Sequence, residues 1–100
     1  MTKYTKLVRD KIPEILDAKK VPYTKRVANE TEYKEALVEK LLEEVREFSQ
    51  TPTEEELADV LEVVNALTKL PEYRATETAR KIKHEERGGF EKRIILSGEK

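Results

Sequence analysis

The feature that most constrains this chain is a run of apolar residues at helical spacing through its middle. Leu37, Val38, Leu41, Leu42, Val45 and Phe48 recur at intervals of three and four, which returns side chains to one side of an α-helix. The pattern predicts a helix over 31–50 with a single apolar stripe. The stretch Thr51-Pro52-Thr53-Glu54 then restarts the chain: Thr51 serves as N-cap, Pro52 takes the favoured first helical position and Glu54 closes a capping box. A further helix follows to about residue 69. So short a connection makes the two helices antiparallel neighbours.

The flanks are read from sparse punctuation, three Gly and four Pro in 100 residues. Asp10 as N-cap, with Pro13 in the first turn, predicts a short first helix over 11–19. A fourth helix is expected over 76–87 after Pro71, turning Ala79 and Ile82 inward and stopping at Gly88-Gly89 in a left-handed C-cap. The segments 22–28 and 90–96 are β-prone at their centres and are expected to pair as a two-stranded ribbon. The expected fold is therefore all-α: four helices with a minor β ribbon, one domain across 1–100. With 37% hydrophobic against 41% charged residues, its core must be thin and its surface densely ionic.

Composition also removes several chemistries. The formal charge of -1 provides no net field toward nucleic acid or membrane, so neither is an expected partner. A polar start and the lack of a long apolar run predict neither signal peptide nor spanning helix, and the expected address is the cytoplasm. With no cysteine, a single histidine (His84) and two serines (Ser49 and Ser97), thiolate chemistry is absent and a histidine-built zinc site or triad has almost nothing to work with. Chemistry must come from carboxylates, Lys and Arg.

Helical geometry says where the carboxylates point. At about 100° per residue, Glu44 falls about 20° outside the apolar stripe of the second helix and Glu47 about 60° further round, whereas Glu43 lies nearly opposite and should be solvated. On the third helix Leu57, Val60, Leu61, Val63, Val64, Leu67 and Leu70 cover roughly 180°, more than a surface helix needs, so this helix should be covered on several sides. Glu56 projects inside that arc and Asp59 lies just beyond its edge. Antiparallel packing would bring Glu44 and Glu47 toward Glu56 and Asp59. Four such acids need a counter-charge, and all-oxygen ligation suits Mg²⁺, with Mn²⁺ as a substitute.

The spacing Glu44-x-x-Glu47 followed by Glu56-x-x-Asp59 resembles the metal-binding motif of the all-α NTP pyrophosphohydrolase superfamily. The blocks Lys6-Leu7-Val8-Arg9-Asp10-Lys11-Ile12-Pro13, Leu41-Leu42-Glu43-Glu44-Val45, Glu56-Leu57-Ala58-Asp59-Val60-Leu61-Glu62 and Arg87-Gly88-Gly89-Phe90-Glu91-Lys92-Arg93 are similar, in order, to its small single-domain branch, the MazG-like and phosphoribosyl-ATP pyrophosphohydrolase-like proteins. The resemblance implies Mg²⁺-dependent cleavage of a nucleoside triphosphate between its α and β phosphates, giving a monophosphate and pyrophosphate. It assigns Glu44, Glu47, Glu56 and Asp59 the metal-ligand and catalytic role. It also implies a homodimer or higher homo-oligomer, which would account for the wide apolar arc. The eight-residue spacer from Phe48 to Glu55 is shorter than in longer members, so no base pocket is carried over.

A triphosphate needs cations besides a metal. Lys6, Arg9 and Lys11 form one basic cluster, while Lys83 and Arg87 adjoin the glycine turn; Arg9, Lys11, Lys83 and Arg87 are the expected phosphate contacts. Two alternatives stand beside this reading: a non-catalytic helical dimerisation or interaction module, and the same chemistry on phosphoribosyl-ATP.

Overall fold

The computed structural model describes residues 5–99 and contains four α-helices: α1 (Ile12–Ala18), α2 (Glu30–Gln50), α3 (Glu54–Thr68) and α4 (Thr76–Arg87). A 3₁₀ turn, Pro71–Tyr73, follows α3. The polar start at 1–4 lies outside the described residues. Among those residues no helix is long and apolar enough to cross a membrane.

The helix α2 begins one residue earlier than its periodicity predicts because Asn29 caps it, its side chain accepting from the Glu32 N–H at 2.9 Å. The start of α3 shifts the other way. Thr51 and Thr53 both stand three residues before a glutamate, and the second is used: Thr53 accepts from the Glu56 N–H at 3.3 Å. Thr51 instead ends α2, its N–H donating to Glu47 C=O at 2.9 Å, so Pro52 lies outside the helix. This corrects the expected cap and places Glu54, Glu55 and Glu56 together in the first turn.

The helix α1 also departs from expectation. Lys11, not Asp10, is its N-cap residue, with no side-chain cap bond, and the helix is two residues shorter than predicted. It ends in a backbone reversal at Lys20, φ 58°, where Val21 N–H donates to Leu16 C=O at 3.0 Å.

The core forms where α2 and α3 pack against each other. Leu37 and Val63 are its buried hydrophobic residues, and Leu41, Phe48, Val60 and Leu67 are half-buried. Beside them Val38, Leu42, Val45, Leu57 and Leu61 remain exposed, so this chain alone covers only part of the two apolar stripes. The 3₁₀ turn closes the far end of the hairpin: Lys34 Nζ lies 3.1 Å from Glu72 Oε2 and 5.3 Å above the Tyr73 ring.

The expected packing of α4 is not formed. Its boundaries match the prediction, yet it buries no residue and Ile82 is 51% exposed. Gly88 ends it with φ 78° and ψ -178°, an extended glycine-only conformation in place of the expected left-handed cap. The expected ribbon is likewise not formed. Among the described residues there is no strand, and Val27, Phe90, Ile95 and Leu96 are each at least 90% exposed. The β-prone stretches lack the third strand or helix face that a two-stranded ribbon needs for stability.

The surface area records this openness. A monomer of 11.7 kDa is expected to expose about 5,900 Å², whereas this chain exposes 9742 Å². The radius of gyration, 17.9 Å, compares with about 13 Å for a closed domain of this length.

Candidate metal centre

The α2–α3 hairpin brings three of the four predicted acids together. One oxygen from each of Glu44, Glu56 and Asp59 lies within 4.8 Å of the others. Glu44 follows Leu37 by two helical turns on the face that α3 covers, and it is 7% exposed. Glu56 and Asp59 are half-buried, one turn apart on α3. Oε2 of Glu44 and Oε2 of Glu56 are both buried without a hydrogen-bond partner. Buried carboxylate oxygens are ordinarily satisfied, and two orphans on members of one acid cluster fit a cation whose only ligands are oxygens.

The cap of α3 explains why Glu56 is available. In a complete capping box the Glu56 carboxylate would reach back to the Thr53 N–H. Here that N–H donates to Thr51 C=O at 2.8 Å, leaving the carboxylate to the cluster.

Glu47 is exposed and lies outside the three-oxygen set. It is nevertheless close enough to affect both Glu44 and Glu56. Burial pushes the Glu44 carboxyl above its ordinary value, the Glu47 charge adds to this, and Lys40 partly opposes it. For Glu56 the order is similar: burial first, then the charges of Glu47 and Asp59. Repulsion without a complete counter-charge is the electrostatic state that the helical angles predict.

Two cations reach the cluster. Arg9 Nη2 donates to Asp59 Oδ1 at 2.7 Å, and its Nη1 lies 4.0 Å from Glu62 Oε1. Lys40, which sequence reasoning did not select, places Nζ 3.2 Å from Glu43 Oε2 and 3.7 Å from Glu44 Oε1. Its signal was the i, i+4 spacing to Glu44. Glu43 is half-buried and held by this contact. Lys11, Lys83 and Arg87 are exposed, and among the described residues no hydrogen bond or ion pair joins them to the cluster. His84 is exposed.

The raised carboxyls set a pH dependence. A carboxyl whose folded pKa lies above its unfolded value contributes stability below the unfolded value, about 4.5 here, and loses it as pH rises through the folded one. In EDTA, Glu44→Gln should match the wild type in acid and exceed it in melting temperature toward neutral pH. Circular-dichroism melts across that range check this; a gap that stays constant with pH would contradict it.

Comparison with protein-family models, curated proteins and solved structures finds no match to this chain.

Proposed function

We propose that this domain is a Mg²⁺-dependent nucleoside triphosphate pyrophosphohydrolase of the MazG-like, phosphoribosyl-ATP pyrophosphohydrolase-like kind. The observation that carries the reading is the convergence of Glu44, Glu56 and Asp59 around two buried, unpartnered carboxylate oxygens. Such a donor set, hard and lacking nitrogen or sulfur, selects Mg²⁺ or Mn²⁺ over zinc.

Glu44, Glu56 and Asp59 hold the ion, with Glu47 at the rim. When bound, it neutralises phosphate charge and lowers the pKa of water. Glu47 takes the proton of the attacking water. That water's oxygen joins the α phosphorus, the α–β anhydride bond breaks, and pyrophosphate leaves beside a nucleoside monophosphate. Arg9, Lys11, Lys83 and Arg87 are the phosphate-facing cations in this proposal, closing on the substrate when it binds.

The working unit in this proposal is a homodimer or higher homo-oligomer in the cytoplasm. Relative to a closed monomer the chain exposes roughly 3,800 Å² in excess. A large obligate dimer interface removes roughly 1,000–2,500 Å² from one partner. The uncovered stripe of Val38, Leu42, Val45, Leu57 and Leu61 is one apolar part of that excess, and the segments 22–28 and 90–96 form their ribbon within the assembly.

The test is a nucleotide panel, phosphoribosyl-ATP included, assayed with and without Mg²⁺ for pyrophosphate release. Orthophosphate alone, or turnover independent of metal, contradicts the proposal. The same exposed stripe also suits a non-catalytic interaction module, and Glu56→Gln separates the two readings. The enzyme reading predicts a loss of at least about 100-fold in turnover, the scale of a group engaged in the transition state, with helicity retained. The module reading predicts no change in metal affinity or partner binding.

A further inference from the structure

The two cations at the acid cluster are held in different ways. Lys40 stands one turn before Glu44 on the same helix, and its side chain is 18% exposed. Arg9 arrives from the stretch preceding α1, fifty residues from Asp59 in sequence, and its side chain is 56% exposed. Residues 5–9 carry no helix or strand, and the Arg9 C=O accepts from Ile12 N–H at the start of α1. The guanidinium can therefore move without disturbing the α2–α3 hairpin. A second acceptor lies close by: Glu62 Oε1, 4.0 Å from Nη1 and one turn beyond Asp59 on α3.

We propose that Arg9 is the counter-ion of the metal-free cluster, and that a divalent cation displaces its guanidinium from Asp59 to Glu62. This rests on the metal reading above and adds a regulation of that site. The ion and the guanidinium draw on one carboxylate and repel each other, so each weakens the other's hold by the same factor. The one that yields is the exposed monovalent pair, because such pairs are weakly held. Displacement also frees the guanidinium from Asp59, leaving its charge beside the phosphates that a bound ion attracts.

Isothermal titration of the full chain with Mg²⁺, and separately with Mn²⁺, tests the exchange. Arg9→Met, which keeps the length and removes the charge, is expected to bind the ion roughly two- to fivefold more tightly than wild type, and Arg9→Lys is expected to stay near wild type. In addition, Glu62→Gln should weaken ion binding in the wild-type background and leave it unchanged in Arg9→Met. Affinity in Arg9→Met equal to or below wild type overturns the exchange while leaving the metal reading intact. An effect of Glu62→Gln that persists without Arg9 overturns the handover to Glu62. No binding heat in wild type, with the fold intact by circular dichroism, removes the metal reading and the exchange together.

Discussion

Leu37→Ala is expected to lower stability by about 2–5 kcal/mol, the range for emptying a buried leucine site. For a domain whose total stability is on the order of 5–15 kcal/mol, that is a large fraction. The loss should be near the upper end here, since Leu37 is 3% exposed and shares the buried hydrophobic core only with Val63 among the described residues. Neighbours have little reserve with which to fill the hole. The effect should also reach the acids, because Leu37 and Glu44 occupy one face of α2, two turns apart. Urea unfolding followed at the far-ultraviolet helix signal measures it. A loss below about 1 kcal/mol would mean that the α2–α3 packing does not govern the fold.

Magnesium should act in the opposite direction and with similar size. At about 100 times its dissociation constant, an ion bound only by the folded chain adds roughly 2.7 kcal/mol. For a domain of this length that corresponds to a rise on the order of 10–20 °C in melting temperature. The buried, unpartnered Oε2 atoms of Glu44 and Glu56 are the reason to expect specific uptake over simple screening. Matched NaCl separates the two effects, since screening alone relieves acid–acid repulsion without site geometry. The rise should shrink in Glu44→Gln and also in acid, where the raised carboxyls retain their protons and exclude the ion. A melting temperature that stays flat across the Mg²⁺ titration would falsify the metal centre.

Much of the hairpin was legible in the sequence because its information is local. The three- and four-residue recurrence of Leu37, Leu41, Phe48, Val60, Val63 and Leu67 is itself the packing pattern, and helical angles derived from it aimed Glu44, Glu56 and Asp59 at one another. The limits of α4 were legible for the same reason, a helical stretch stopped by glycine. Its burial was not, since Ala79 and Ile82 specify an apolar edge without specifying what lies against it. The α3 cap lies two residues beyond the predicted one because Thr51 and Thr53 carry the same signature, and only the reach of α2 to Gln50 decides between them. The Arg9–Asp59 pair was beyond sequence reasoning: no periodicity links residues fifty apart. Glu47 was drawn into the ligand set by its spacing from Glu44, but its angular offset of about 60° leaves it at the rim.

The turn at Thr51–Thr53 has a kinetic consequence. Glu44 and Asp59 enclose only fourteen residues, so closing the loop between them carries a small entropic penalty. Contacts this near in sequence form among the earliest events on a folding pathway, before distant segments find their places. A nascent chain emerging from the ribosome would thus assemble its acid cluster soon after residue 68 is clear of the exit tunnel, with α4 and the tail still to be made.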